Sequence, residues 1–452
     1  MDRWAGVVLA AGMGVRMRSR LPKVLHRVCG KEMIRYPLEL LRQVGIRRLV
    51  VVVSPTGASA VRELLGPDVE YVTQPSALGT GDAMGRTAEI LQGKVDHLLV
   101  LGADCPLLRA DTVKGLVSSH VDASGDMTLL TGIAPSVGDW GRVFRNDSGQ
   151  VIDIVEAADD PRTSELSGEF NGGVYCFSAP WVWENLERVE PSPNGERYLT
   201  SLASIGAAGG AKVHGVAAAD PGELQGVNDR LQLARVEAAQ RQRIREHWML
   251  AGVTMVDPAS VFIDSGVAIG QDTVLLPNTM LLGRTSIGEG CEIGPGSTIR
   301  DSKVGHRCRV TASALEEAEM EDDVEIGPFS HLRPGAYLES GVHIGNYVEV
   351  KQSRFASDAV MGHFGYVGDA SIGAGANLGA GMITCNYDGK DKHRTVIEAG
   401  AFIGCDTMLV APVTVGAGAI TGAGAVVTRD VPPGRLAVGV PARIMVKNDR
   451  PD

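Results

Sequence analysis

The sequence lacks three features that would each assign a class of protein. Its 452 residues contain no apolar run of about eighteen, which excludes a membrane-spanning helix. Its seven cysteines are scattered without a Cys-x-x-Cys pair, which argues against a zinc site or a disulfide framework and favours reduced thiols. The first apolar stretch, 5–11, is followed rather than preceded by a basic cluster, so it does not have the order of a secretion signal. We therefore expect a cytoplasmic protein.

Positive charge is also in deficit. Lys and Arg number 43 against 54 Asp and Glu, so the net charge is −11, which argues against a general nucleic-acid binder. A nucleotide can still bind, because a local basic loop is enough to hold a phosphate. Glycine is abundant, with 57 residues, nearly twice the usual share of about 7%. Such an excess without collagen spacing indicates phosphate loops, tight turns or a solenoid.

The first half of the chain alternates short apolar runs with amphipathic stretches such as 34–44 and 81–91. This alternation predicts a mainly parallel sheet with helices on both faces. Ligands of such sheets bind beyond the C-terminal ends of the strands. The strand candidates are 5–11, 48–54, 97–102, 127–133 and 172–178.

A long helix is predicted between the two halves, because residues 229–249 contain neither glycine nor proline. Asn228 or Asp229 is its expected N-cap. The predicted organisation has three parts: an α/β domain over 1–228, the linker helix over 229–250 and an all-β domain over 251–452.

Aliphatic residues recur every six positions after Pro258, which fits neither an amphipathic helix nor an alternating strand. The period is typical of a hexapeptide β-helix, in which one aliphatic side chain per face points into a triangular prism. Loops leaving the prism are expected where the period breaks, at 353–361 and 386–394. The three periodic runs are Leu275, Leu281, Ile287, Ile293 and Ile299; Ile326, Leu332, Leu338, Ile344 and Val350; and Ile403, Leu409, Val415, Thr421 and Val427.

A glycine-rich loop follows the first predicted strand, with the sequence Leu9-Ala10-Ala11-Gly12-Met13-Gly14-Val15-Arg16-Met17 and Lys23 shortly after it. Glycines let backbone amides turn toward an anion, and the two cations add charge, so the loop predicts phosphate binding. No Gly-Lys-Ser/Thr follows, and the third glycine of a dinucleotide fingerprint is missing.

This loop resembles the Leu-Ala-Ala-Gly-x-Gly-x-Arg-Met signature, with a downstream Pro-Lys, of sugar-1-phosphate nucleotidyltransferases. With the hexapeptide half, the whole chain resembles the bifunctional N-acetylglucosamine-1-phosphate uridylyltransferase / glucosamine-1-phosphate acetyltransferase family. The resemblance implies a Rossmann-like mixed α/β domain, a left-handed parallel β-helix, and synthesis of UDP-N-acetylglucosamine for the cell wall. It also implies UTP, acetyl-CoA and glucosamine 1-phosphate as substrates, Mg²⁺ as the metal, and a homotrimer with active sites between subunits.

The resemblance assigns residues to the first site. Asp104 and Asn228 match the protein ligands of Mg²⁺, which neutralises charge as the sugar phosphate attacks UTP. Taken singly, Asp104 is a turn residue, Glu156 a solvated strand-edge charge and Asn228 a helix cap. The implied nucleotide and sugar-nucleotide site comprises Leu9, Ala10, Ala11, Gly12, Lys23, Gln74, Gly79, Thr80, Asp104, Gly141, Glu156, Asn171 and Asn228, with Arg16 and Lys23 as catalytic cations.

A second polar cluster interrupts the hexapeptide rhythm. Acetyl transfer from a thioester to an amine needs a base that accepts the amine proton, and His363 suits that step. Tyr366 and Asn386 are candidates to orient the amine or stabilise the tetrahedral oxyanion. The cluster also holds three cations, which suit a sugar phosphate. The resemblance implies the same roles, with Arg333, Lys351, Tyr366, Asn377 and Lys392 on glucosamine 1-phosphate and Ala380, Asn386, Tyr387, Cys405 and Ala423 on acetyl-CoA.

Several positions depart from the family pattern, so the nucleotide and sugar preference of the first site stays open. At the C-terminus the family Arg at position 440 is missing, and Arg443 is the candidate to bind a CoA phosphate in its place. The departures are Met13 for Lys, Val15 for Thr, Ala103 for an aromatic residue, Gly172 for Thr, and Cys405 for Ser.

Three other functions are compatible with parts of the sequence. The β-helix could be a silent scaffold for a nucleotidyltransferase, but the residues around His363 argue against that. A sensor that binds sugar nucleotides without turnover is favoured by Met13 and Val15 and opposed by Asp104 and Asn228. An active acetyltransferase paired with a nucleotidyltransferase of altered preference is the third. A metal-dependent hydratase would need three converging histidines, and the spacing offers none.

Overall fold

The computed structural model describes residues 1, 3–135, 140–157, 159 and 168–446. It divides into two compact units, Met1–Gln240 and Arg241–Asp452. Among the described residues, none of the helices is both long enough and apolar enough to span a bilayer.

Nine strands of the first unit form one mixed sheet, and two more form a small hairpin. The strands are β1 (Trp4–Ala10), β2 (Arg27–Val28), β3 (Lys31–Glu32), β4 (Arg48–Val53), β5 (Glu70–Thr73), β6 (His97–Gly102), β7 (Met127–Ala134), β8 (Arg142–Arg145), β9 (Val151–Val155), β10 (Gly168–Ser178) and β11 (Val213–Ala217). The main order is β11-β7-β10-β6-β1-β4-β5, with β8 pairing β10 and β9. Neighbours along the main order run parallel except β10, which is antiparallel to both β6 and β7.

Helices cover both faces of this sheet, as the buried, continuously apolar strands β1, β4 and β6 require. One core cluster contains buried residues of α1, α2 and α5, and the other contains those of α3, α4, α6 and α7. The helices are α1 (Arg35–Val44), α2 (Ala58–Leu65), α3 (Thr80–Gly85), α4 (Ala88–Leu91), α5 (Ala110–Asp122), α6 (Ala179–Leu186) and α7 (Leu202–Ala208).

Two predictions for the first unit need correction. Stretch 81–91 forms the short helices α3 and α4 rather than one helix, and at their junction the buried Thr87 hydroxyl donates to the Met84 carbonyl (2.8 Å). Strand β10 begins four residues before the predicted start and carries an irregularity in register between Asn171 and Tyr175.

The predicted long helix is α8 (Arg230–Leu250), and Asp229 caps it: its carboxylate accepts a hydrogen bond from the Gln232 amide (2.8 Å). The side chain of Asn228 is therefore not the cap. The division between the two compact units falls inside this helix, and its last residues, Trp248 and Met249, pack against the core of the second unit.

The second unit is a parallel β-helix with three faces. The first face contains Thr254–Met255, Val274–Leu275, Glu292–Ile293, Arg309–Val310, Glu325–Ile326, His343–Ile344, Val360–Met361, Asn377–Leu378, Phe402–Ile403, Ile420–Thr421, Arg435–Val438 and the antiparallel Arg443–Val446. The second face contains Phe262–Ile263, Met280–Leu282, Thr298–Arg300, Ala314–Glu316, His331–Leu332, Val348–Lys351, Gly365–Gly368, Ile383–Cys385, Met408–Val410 and Val426–Val427. The third face contains Ala268–Ile269, Ser286–Ile287, Lys303–Val304, Glu319–Met320, Tyr337–Leu338, Arg354–Phe355, Ala370–Ile372, Thr395–Ile397 and Val413–Val415.

All fifteen periodic residues named above are buried, at most 4% exposed, which confirms the interpretation of the six-residue period. The loop expected at 353–361 is wrong. Phe355 and Met361 are both fully buried in the prism, and the step from Val350 to Phe355 is five residues instead of six. The loop expected at 386–394 is confirmed: it lies between strands of the second and third faces and contains a bridge between Tyr387 and Lys392.

Candidate functional site

The glycine-rich loop begins where the central strand β1 ends, at the C-terminal edge of the parallel strands. Gly14 has φ +61°, and a Cβ there would come within 2.7 Å of the Lys23 Cβ, so this glycine shapes the loop. Gly12 is exposed, and a Cβ there would meet no atom within 4 Å. A side chain at position 12 would therefore meet no described atom of the protein. Arg16 lies on the short turn that follows, Val15–Met17.

Lys23, Asp104 and Asn228 meet although they are far apart in sequence. The Lys23 ammonium donates to Asp104 Oδ2 (2.5 Å) and to Asn228 Oδ1 (3.1 Å). Asp104 follows β6 and Asn228 precedes α8, so both reach this point from element ends. Burial of Asp104 is the largest single influence and opposes its ionisation, but the Lys23 ammonium, a backbone amide and the Cys105 thiol together outweigh burial, and the pKa of Asp104 is lowered.

The two predicted Mg²⁺ ligands have the right chemistry for that ion. A carboxylate and an amide oxygen are hard donors, and both already converge on one cationic nitrogen. No group of three or more His, Cys, Asp or Glu suited to a metal occurs in the part of the chain that the structure describes. A metal here would have two protein ligands and complete its shell with water and phosphate oxygens, as Mg²⁺ commonly does.

The segment that begins at Leu78 contacts residues 197–199, which are distant in the sequence. Gly79 has φ +93°, and a Cβ there would lie 2.5 Å from the Arg197 carbonyl oxygen, so only glycine fits. Thr80 Oγ1 accepts a hydrogen bond from the Leu199 amide (2.9 Å). Gln74, at the end of β5, is 4% exposed and donates to the Gly79 carbonyl (3.0 Å).

Gly141, Glu156 and Asn171, which the resemblance assigns to the sugar nucleotide, lie close together. The Asn171 backbone amide donates to the Gly141 carbonyl (2.8 Å). A Cβ on Gly141 would lie 3.1 Å from Glu156 Oε2. Thr200, which no sequence motif indicated, joins them: its hydroxyl donates to Glu156 Oε1 (2.8 Å). Burial raises the pKa of Glu156, so its interpretation as a solvated strand-edge charge is wrong.

The departures from the family pattern have different structural settings. At Gly172 a Cβ would lie 2.8 Å from the Leu130 carbonyl oxygen and 2.9 Å from Leu224 Cδ1, so this chain has no room for threonine there. Ala103 is buried beside β1, where its amide donates to the Leu9 carbonyl. Met13 and Val15 are 72% and 75% exposed, so neither contributes to the core.

Three cations converge on the second face of the β-helix. Arg333 directly follows the strand His331–Leu332, which pairs with the strand that contains Lys351 on the next coil. The Arg333 backbone amide donates to the Val350 carbonyl (2.8 Å). The pKa of Lys351 is lowered because the Lys392 ammonium lies beside it, with Arg333 adding to the effect. Arg333 also pairs with Glu349 (2.6 Å). Positive charge concentrated in this way favours a phosphate ligand.

Tyr366 and Asn386 converge next to these cations. Gly368 pairs in register with Lys351, and a Cβ on Gly368 would collide with the Tyr366 hydroxyl and lie 2.8 Å from Asn386 Nδ2. The Asn386 Nδ2 donates to Asp369 Oδ2, which the sequence analysis did not single out. The absent side chain at Gly368 therefore makes room for a hydroxyl and an amide beside the cation cluster.

His363 lies on the first corner, which we define as the turns leading from the first face to the second. Its equivalents on the next three coils are Ala380, Cys405 and Ala423, each two residues after a stacked first-face residue. Backbone hydrogen bonds connect Asp406 to Ala380 (2.7 Å) and Gly424 to Cys405 (2.8 Å). At about 4.8 Å per coil, the column from His363 to Ala423 extends over ~14 Å. Only small side chains follow the exposed histidine along it.

Three further predicted residues lie outside the second-face strands. Asn377 belongs to the first face, where it pairs with Val360 and Phe402, and not to the second face with the cations. The role of Asn377 in binding glucosamine 1-phosphate therefore stays a prediction. Tyr387 lies in the loop 386–394 and is 60% exposed. Arg443 is exposed in the last hairpin, opposite Val438.

The comparisons with known families match each half of the chain separately. Residues 6–134 match the family described as MobA-like NTP transferase domain. Residues 266–301 and 394–429 match the family described as bacterial transferase hexapeptide (six repeats). The second match identifies the β-helix as the hexapeptide, left-handed type.

Full-length relatives cover both halves together. A protein of Heliobacterium modesticaldum is 43% identical over 439 residues, covering 97% of this chain and 96% of its own. One from Exiguobacterium sibiricum is 44% identical over 433 residues, 96% of each chain. One from Pelobacter propionicus is 43% identical over 442 residues, 97% of this chain and 96% of its own. Each carries the name bifunctional protein GlmU.

Proposed function

This chain belongs to the GlmU family of bifunctional proteins, and on that premise we propose how its two sites work. It is an enzyme of UDP-N-acetylglucosamine synthesis with two transferase activities. One transfers an acetyl group from acetyl-CoA to glucosamine 1-phosphate. The other transfers a uridylyl group from UTP to N-acetylglucosamine 1-phosphate and releases pyrophosphate.

We assign acetyl transfer to the residues around His363. Arg333, Lys351 and Lys392 bind the phosphate of glucosamine 1-phosphate, which directs the amine toward the corner. As the amine attacks the thioester carbonyl, His363 accepts its proton and then returns it to the departing CoA sulfur. The Asn386 side chain and the Tyr366 hydroxyl orient the amine by accepting its N–H hydrogens or stabilise the oxyanion by donating to it. The observation that carries this assignment is the convergence of three cations beside Gly368.

The column of small residues supports the position of acetyl-CoA. Ala380, Cys405 and Ala423 form a column of small side chains along the first corner, starting at His363. An extended chain such as the pantetheine arm can lie along such a column with its thioester at the histidine. Arg443 and Tyr387 are the proposed contacts of the CoA phosphates and of the acetyl end.

We assign uridylyl transfer to the C-terminal edge of the sheet. Backbone amides at 9–12, with Arg16 and Lys23, bind the triphosphate, and Gln74, Gly79 and Thr80 hold the base. Gly141, Glu156 and Asn171 hold the sugar, whose phosphate oxygen attacks the α-phosphorus in line with the departing pyrophosphate. Asp104 and Asn228 would hold Mg²⁺, which neutralises the charge that develops on the phosphates.

Assembly, location and domain limits are part of the same proposal. Asn377 lies on a different face from the cations, which supports a homotrimer in which a neighbouring subunit completes the acetyl site. The seven free cysteines support a reducing compartment, the cytoplasm. The domain limits remain 1–228, 229–250 and 251–452.

The test uses the purified protein with glucosamine 1-phosphate, acetyl-CoA, UTP and Mg²⁺, with free thiol and pyrophosphate followed separately. Release of both supports the two assignments. His363→Ala should then abolish thiol release alone, and Asp104→Ala pyrophosphate release alone. Loss of both activities in either folded variant would contradict two separate sites, and thiol without pyrophosphate in the wild type would contradict UTP as the nucleotide.

A further inference from the structure

Two hydrogen-bond acceptors fix the orientation of the Gln74 amide. Its Nε2 lies 3.0 Å from the Gly79 carbonyl oxygen and 2.8 Å from Asp82 Oδ2. A carbonyl and a carboxylate only accept, so the group facing them must be the NH₂, and both of its hydrogens are used. The Oε1 atom therefore points the other way.

That oxygen is left for a ligand. Gln74 is 4% exposed, yet among the described residues its Oε1 accepts no hydrogen bond. This oxygen is also not among the fully buried polar atoms that lack a partner, so it keeps some contact with the surface. Gln74 thus presents an acceptor and no donor at the end of β5.

Asp82 is itself held in place. It lies in the first turn of α3, and its other oxygen accepts from Arg86 one turn later (2.8 Å). Arg86 is the more exposed partner, with 44% of its side chain accessible against 13% for Asp82. The carboxylate that orients Gln74 is therefore a partly buried, fixed group rather than a free surface charge.

We propose that Asp82 is a positioning residue that makes Gln74 an obligate acceptor and so selects nucleobases with a ring N–H over those with a bare ring nitrogen. This inference rests on the proposed function, in which Gln74 meets the base of the nucleotide. Uracil carries N3–H, which can donate to Oε1, whereas the N3 of cytosine only accepts and would face another acceptor. An amide free to rotate would serve either base.

The experiment compares kcat/KM for UTP and CTP in pyrophosphate release. Asp82→Ala leaves the Gly79 carbonyl as the one remaining acceptor and so loosens the amide, and the UTP/CTP ratio should fall about three- to tenfold, the effect of one hydrogen bond. Asp82→Asn keeps an acceptor at this place and should retain most of the preference. Arg86→Ala is the matched control, because it removes the ion pair and leaves the Asp82 carboxylate.

A double variant separates positioning from a general structural role. Because Asp82 acts through Gln74, Gln74→Ala should lower the ratio, and adding Asp82→Ala should lower it no further. Additive losses, or an unchanged ratio in Asp82→Ala, would overturn the inference. Asp82→Ser, whose side chain is too short to reach Gln74, repeats the test if the thermal unfolding midpoint of Asp82→Ala is far below that of the wild type. A wild type that releases no pyrophosphate from UTP would instead refute the proposed function.

Discussion

At the scale of single residues, the glycines of the first site divide by what surrounds them. Gly172 is enclosed, with a carbonyl oxygen 2.8 Å from the position of its missing Cβ, whereas Gly12 has open space. A side chain at 172 strains the sheet, and one at 12 affects only what approaches from outside. The two positions therefore distinguish a structural glycine from a binding glycine.

Gly12→Ala should leave the thermal unfolding midpoint unchanged and raise the KM for UTP, because a methyl group would stand between the ligand phosphate and the loop. Gly172→Ala is the control with the opposite pattern, a loss of about 1–3 kcal/mol in the free energy of unfolding from overpacking. Calorimetry and uridylyl-transfer kinetics on both variants check this. A normal KM in Gly12→Ala would separate the loop from phosphate binding.

A buried histidine predicts an acid-sensitive first unit. Burial is the main reason that the pKa of His120 falls from 6.5 to about 4, and the nearby His97 adds to it. Its ring contacts His97 (3.2 Å) and the Thr128 hydroxyl (2.9 Å). The unfolded chain takes up this proton near pH 6.5 but the folded chain only near pH 4, so stability falls as pH decreases through that window.

The free energy of unfolding should therefore drop by about 2–3 kcal/mol between pH 7 and pH 4 through this one group. His120→Gln keeps a polar side chain and should flatten that dependence, whereas His306→Gln, at an exposed position of the other unit, should not. Urea unfolding followed by tryptophan fluorescence at several pH values measures the slope. Parallel slopes for wild type and His120→Gln would refute the assignment.

At the scale of elements, the loop 386–394 is organised by one carboxylate. Asp388 Oδ1 accepts from the amides of Lys390 (2.8 Å) and Asp391 (2.8 Å), and Oδ2 pairs with His393 (2.6 Å). These hydrogen bonds lower the pKa of Asp388, with the Asp391 amide contributing most. The loop that carries Lys392 is thus held by a side chain that needs no contact with substrate.

Asp388→Ala should raise the KM for glucosamine 1-phosphate roughly three- to tenfold and change kcat less, because Lys392 loses its fixed position. Asp391→Ala is the matched control, since the hydrogen bond uses its backbone amide and survives the substitution. Thiol-release kinetics for both variants provide the measurement. Equal KM values would mean that the loop keeps its shape without Asp388.

The β-helix was predictable from sequence because its contacts are local. Each coil contacts the next, so a fixed spacing in the chain is a fixed spacing in the prism. The expected loop at 353–361 failed because the prism absorbs the five-residue step from Val350 to Phe355 without leaving its faces. A broken period in the sequence is therefore weaker evidence for a loop than an intact period is for a coil.

The first site could be predicted only in part, because its contacts join distant segments. The loop at 9–17 is one continuous motif and was visible in the sequence. Thr200 reaches Glu156 across 44 residues, and no spacing rule connects them. Asp82, eight residues from Gln74, becomes informative only when its oxygen is seen on the amide. Tertiary hydrogen bonds supply what periodicity and motifs do not.

At the scale of the whole molecule, the residues of the proposed acetyl site are divided between two faces of one prism. His363 is on the first corner and the cations are on the second face, whereas Asn377 is on the first. In a trimer of such prisms, the first face of one subunit can complete the second-face site of its neighbour. Each active site would then need His363 from one chain and Asn377 from another.

Mixing two inactive variants tests this arrangement. His363→Ala and Asn377→Ala should each have little acetyl transfer alone, but after joint unfolding and refolding a site can combine the intact His363 of one chain with the intact Asn377 of the next. With equal, random mixing about one quarter of the sites should recover, given three equivalent sites per trimer. Uridylyl transfer in the same samples reports the amount of refolded protein. If acetyl transfer does not rise above that of the separate variants, both residues act from one chain, and the first face has no part in a neighbour's site.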